Sequence, residues 1–138
     1  MCTIDVKDFN REELTQKIVL IFQRVYSKLG HGYMEKAYKE AMMIEFKKER
    51  IPAESKSGVK VFYEGELINE NDGYILLDNK VVIKIKAVDC LAGEDEMQLL
   101  DYLKAVNSSV GFLLNFGSTP AVKQTDNAKK SPIIINRL

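Results

Sequence analysis

The chain is short of the features that mark secreted, membrane-embedded or polyanion-coating proteins. Its 138 residues include two cysteines, one histidine and no excess of either charge, with 20 Lys+Arg against 20 Asp+Glu. The balance excludes a protein that grips nucleic acid by bulk electrostatics, since phosphate neutralisation supplies most of that affinity. Only a local basic patch stays open. Cys2 and Cys90 lack framework-like spacing and read as free thiols in a reducing compartment. No apolar run approaches the ~20 residues that span a bilayer, and the first residues lack the apolar centre of a signal peptide. A soluble, cytoplasmic protein with no membrane partner is expected. His31 is the one possible centre for histidine catalysis, and its place between Gly30 and Gly32 favours a loop or helix-cap role. Those glycines do not form a phosphate loop, because the Gly-Lys-Ser/Thr end is missing and no strand precedes them.

Hydrophobic residues make up 46% of the chain, enough for the core of one domain. Leu14, Ile18, Ile21, Phe22, Val25 and Leu29 recur at helical spacing from Arg11 to Leu29, with Asn10 able to cap the start and Gly30 ending the run. A second helix carries Met34, Ala37, Tyr38, Ala41, Met42 and Phe46 on its apolar stripe and stops before Pro52. The period then changes. A strand at Val59–Tyr63 turns at Gly65 into Leu67-Ile68, and Tyr74–Leu77 turns at Asp78-Asn79-Lys80 into Val81–Val88. On that last strand Lys84 and Lys86 share one face and Ile83 and Ile85 the other.

A third helix is predicted from about Glu94 to Val106, burying Met97, Leu100, Leu103 and Val106. Val110–Phe116 reads as a strand covered on both faces. Strand potential is weak at Ala121–Lys123 and clearer at Ile133–Ile135, with a polar, mobile loop expected over Thr125–Ser131. The order predicts a single α/β or α+β domain over 1–138, its core at about 11–117 and a C-terminal strand extension at 118–138.

Four blocks, in order, carry a resemblance. They are Gly32-Tyr33-Met34-Glu35-Lys36-Ala37-Tyr38, Asn79–Ile83 with Lys86-Ala87-Val88, Gln98–Ala105, and Gly111–Gly117. Together they look like the GxxExxY proteins, which resemble the PD-(D/E)XK nuclease superfamily. The resemblance covers roughly residues 14 to 117. It implies a restriction-endonuclease-like central mixed sheet flanked by helices. In active members of that superfamily a helix acid, a strand acid and a Glu-x-Lys pair gather Mg²⁺, which activates water and neutralises phosphate charge. A glutamine on the following helix supports the site.

Carried onto this chain, the resemblance makes Glu35 the helix acid, Lys86 the motif lysine and Gln98 the helix glutamine. Tyr74 stands where the strand acid is expected, and Lys84 where the Glu of Glu-x-Lys is expected. Asp95 replaces a histidine common before the glutamine. Glu35 would be the one carboxylate left, facing two ammonium groups. At ~4 Å and an effective dielectric of ~20, each would repel a divalent ion by several kcal/mol. Mg²⁺ is therefore not expected here, and Glu35 is expected to pair with Lys84 or Lys86 around a metal-free pocket. A rescued site would need migrated acids. Asp72 could share the face of Tyr74, about 6–7 Å further along, while Asp78 and Asp89 flank the two strands.

Blander readings stand beside these. Lys84 and Lys86 could be the polar face of an edge strand. Glu35 and Gln98 could be solvated helix residues, Tyr38 core with its hydroxyl satisfied at the edge, and Cys90 a buried small hydrophobe. Three functions follow: an inactive nuclease-like domain that binds phosphate or nucleic acid through Lys84 and Lys86, with Lys60 or Lys104 nearby; an active Mg²⁺ nuclease with migrated acids; or a protein-interaction or homo-oligomeric module.

Overall fold

The computed structural model describes residues 11–56, 60–70, 73–108, 110–126 and 131–137. Asn10, Cys2 and Asp72 lie outside the described residues. Helix α1 spans Arg11–Leu29 and buries Leu14, Ile18, Ile21, Phe22 and Val25, the stripe its periodicity predicts. Gly30 ends it at φ +66°, where its N–H donates to the Tyr26 carbonyl at 2.7 Å, a conformation glycine adopts without a Cβ penalty. Helix α2 spans Glu35–Lys48 and buries Tyr38, Met42, Glu45 and Phe46. Met34 and Ala37, expected on its apolar stripe, are exposed, because the helix starts after Met34 and its buried stripe begins at Tyr38.

The strands are β1 Ala53–Lys56, β2 Lys60–Tyr63, β3 Glu66–Glu70, β4 Tyr74–Leu77 and β5 Val81–Lys86. After helix α3, Gly93–Ala105, come β6 Val110–Asn115, β7 Ala121–Asp126 and β8 Ser131–Arg137. Six strands form one mixed sheet in the order β1-β4-β5-β6-β7-β8, and β2 pairs with β3 as a separate two-stranded ribbon. Among the described residues only β5 and β6 run parallel, as a crossover through α3 requires. The C-terminal extension joins this sheet: β7 pairs with β6 over its full length and β8 pairs with β7. Thr125 and Asp126 therefore belong to β7 rather than to a loop, and residues 127–130 lie outside the described residues.

Helices α1 and α2 cover one sheet face, where Ile75, Ile83, Ile85 and Phe112 pack with them. Helix α3 covers the other through Leu99, Tyr102 and Leu103 against Val82 and Leu113. Met97, expected inside, is 68% exposed, because the buried stripe of α3 is turned toward Leu99 and Tyr102. No helix among the described residues is long and apolar enough to cross a membrane.

Candidate functional site

Strand β5 is the third of six, with β4 on one side and β6 on the other. The edge-strand reading of its lysines is thereby overturned: Lys84 is 2% exposed, and both flanking ladders are occupied. Alternation sends Val81, Ile83 and Ile85 toward α1 and α2, leaving Val82, Lys84 and Lys86 on the opposite face. The β4–β5 ladder ends with Ile75 paired to Ile83, and Tyr74 and Lys84 follow just beyond that end, both lining the cleft. The ring of Tyr74 packs on Tyr102 of α3 with centroids 4.6 Å apart, and the Nζ of Lys84 donates to the Gly73 carbonyl at 3.0 Å.

Two helix N-termini meet this sheet end. Glu35, in the first turn of α2, lies 3.7 Å from the Nζ of Lys86. Asp95, in the first turn of α3, lies 3.3 Å from the same Nζ. Its other oxygen accepts the Ala92 backbone N–H at 2.8 Å, closing the helix start. Lys86 thus sits between two carboxylates. Beside it a cleft of about 190 Å³ is lined by Glu35, Lys36, Lys39, Glu40, Tyr74 and Lys84 among others.

Glu35, Tyr74 and Lys84 line the cleft together, and Lys86 reaches Glu35 from beside it. Gln98, half-buried on α3, is not among the residues lining the cleft. Lys104 is exposed in the last turn of α3, about 13 Å along the helix axis from Asp95, so it does not reach the site. The side chain of Lys60 lies outside the described residues. Asp78 sits in the β4–β5 turn at the opposite sheet end and pairs with Lys80 at 3.4 Å. Asp89 is exposed and accepts from the Ser118 hydroxyl at 3.5 Å. Cys90 is exposed, not buried: it lies in the loop after β5, where no helix covers it. His31 stays in its exposed loop, and the Tyr38 hydroxyl donates to the Gly30 carbonyl at 2.6 Å.

Sequence reasoning missed Asp95 as a second carboxylate on Lys86, and Lys36 and Lys39 as cleft cations. The signal was present. A parallel crossover from β5 brings the start of α3 back over the end of β5, and Lys36 and Lys39 fall one and four residues after Glu35. Among the described residues, no group of three or more His, Cys, Asp or Glu side chains is arranged to hold a metal ion.

A family model of the PD-(D/E)XK nuclease superfamily matches residues 12–127, most of the chain and all of this site. The chain belongs to that superfamily. Its six-stranded mixed sheet between helices fits the restriction-endonuclease-like architecture of the superfamily. No curated protein and no solved structure matches the chain.

Proposed function

We propose that this chain is a catalytically silent member of the superfamily that binds a phosphate group or nucleic-acid backbone in the cleft, without metal and without cutting it. The GxxExxY-like block Gly32–Tyr38 supports placing it in that subgroup. One observation carries the reading: the two residues that line the cleft at the strand positions where the resemblance calls for carboxylates are Tyr74 and Lys84. A divalent cation there would meet the buried amine of Lys84 and compete with Lys86 for Glu35 and Asp95. The donor set therefore does not fit Mg²⁺, which needs carboxylate oxygens in near-octahedral array. An anion fits better. Lys36, Lys39 and Lys84 outnumber Glu35 and Glu40 around the cleft. Its volume is several times the ~30 Å³ share of a water molecule, enough for a phosphate group with part of its hydration. The exposed thiol of Cys90 supports a reducing, cytoplasmic setting.

A second reading is favoured by Asp95. Two carboxylates flanking one lysine are the minimum from which a relocated one-metal nuclease site is built. Calorimetric titration of Mg²⁺ and Mn²⁺, with cleavage assays on single- and double-stranded DNA and RNA, separates the two. Salt-sensitive binding without metal heats or cleavage supports the silent reading. Metal binding with cleavage abolished by Glu35→Ala and Asp95→Ala overturns it.

A further inference from the structure

A second concave surface adjoins the cleft at Glu40 and runs along the outer side of α2 beside β1. It is a groove of about 480 Å³, lined by Glu40, Met43, Ile44 and Lys47 of α2 and by Arg50, Ile51 and Pro52 on the way into Ala53 of β1, so its basic end carries Arg50 beside Lys47. Ile44 is 58% exposed on a helix whose other side is core. Glu40, Met43, Ile44 and Lys47 are spaced i, i+3, i+4, i+7, so they form one stripe with an apolar centre, an acid at one end and a base at the other. Neither Glu40 nor Lys47 has an ion-pair partner among the described residues. Beside the stripe, β1 is the sheet edge: among the described residues it pairs with β4 alone. Its exposed Glu54 lies 3.2 Å from Lys56 two residues on, again an acid and a base on either side of a centre, Ser55.

We infer that this face pairs with a second copy of the same chain about a two-fold axis. Such an interface brings each patch onto itself in reverse, so only a patch complementary to its own inversion is suited to it. The α2 stripe meets that condition. Antiparallel pairing centred on Met43 and Ile44 sets Glu40 of each copy against Lys47 of the other and covers both isoleucines. The β1 edge meets it independently. Antiparallel pairing centred on Ser55 sets each Glu54 opposite the other copy's Lys56 and extends the sheet across the axis. A partner of other sequence would need to supply this alternation of charge; a second copy has it already. The dimer shares Glu40 and Ser55 with the cleft lining but needs no ligand there, so it stands whatever the cleft binds.

Sedimentation equilibrium on the full chain tests this. The expected mass is twice the 15.7 kDa of one chain. Ile44→Asp, on an exposed position, leaves the far-ultraviolet circular dichroism unchanged and dissociates the dimer. Lys47→Glu alone faces Glu40 with a like charge and weakens association by about tenfold or more. The exchange Glu40→Lys with Lys47→Glu restores it to within about threefold of the original. A single-chain mass up to ~1 mM overturns the proposal. So does a dimer that survives Ile44→Asp, or a double exchange no tighter than Lys47→Glu alone.

Discussion

The Nζ of Lys84 lies 3.0 Å from the Gly73 carbonyl, inside a protein surface that leaves the residue 2% exposed. Replacing it with methionine keeps the volume and removes the donor, leaving a buried carbonyl short of a partner. A loss of about 1–3 kcal/mol is expected in urea unfolding, together with weaker binding of inorganic phosphate in calorimetry. The opposite experiment restores what the strand lacks. Tyr74→Asp with Lys84→Glu sets two carboxylates opposite each other beside Glu35, and Mn²⁺ binding absent from the parent is the expected calorimetric result. Silence in the double variant would mean that the strand positions are wrongly matched. At this scale the sequence was most informative where alternation is strict. The shared face of Lys84 and Lys86 follows from a period of two, whereas Asp95 became visible as their neighbour only once the crossover had been built. Cys90 departs from its expected burial for a related reason: residue type says nothing about whether a loop will be covered.

The elements are joined by two devices that periodicity does not reveal. One is Asn115, 2% exposed at the end of β6. Its oxygen accepts from the N–H groups of Val88 at 3.0 Å and Gly117 at 3.2 Å, and its amide donates to the Val88 carbonyl at 2.8 Å. Asn115→Ala is expected to cost about 2–4 kcal/mol in chemical denaturation. Gly117→Ala is worse placed, since its Cβ would clash with the Val88 carbonyl oxygen and the backbone there would have to move. The other device ties α1 to α2. Arg24 bonds Glu45 at 2.8 Å and Lys17 bonds Glu49 at 2.7 Å. The hydrogen bond from Arg24 holds Glu45 below the usual carboxylate range, and that from Lys17 does the same for Glu49. In the unfolded chain both carboxyls titrate near ~4.3 and bind protons that the folded state refuses. This stabilisation is full above that value and disappears as pH falls through the depressed folded range. Melting temperature measured from pH 7 to pH 3 should drop more steeply for the parent than for Glu45→Gln. Strand β1 went unread because Ala53–Lys56 has neither alternation nor branched residues; its pairing with β4 alone makes it a strand.

For the whole molecule, neutral net charge and a compact lysine cleft set the form of any nucleic-acid binding. Two or three phosphate contacts give a log–log salt slope of about −2 to −3, far shallower than that of a protein coating a duplex. Fluorescence anisotropy over a salt series reads this directly, and a steep slope would point to a larger surface than the cleft. The overall architecture was largely legible, because each helix and most strands carry a clean period and the connections are short. What the sequence withheld were the faces that depend on tertiary contact: the exposure of Met34 and Met97, and a polar segment drawn into β7.

The central place of β5 also has a temporal consequence. A strand laddered on both sides opens only when the sheet itself comes apart. The backbone amides of Val82 and Ile83 should therefore exchange with deuterated solvent only on global unfolding, while those of the β2–β3 ribbon exchange much sooner. The floor of the cleft keeps its shape for as long as the molecule stays folded, and whatever adjusts to an incoming ligand must come from the two helix starts above it.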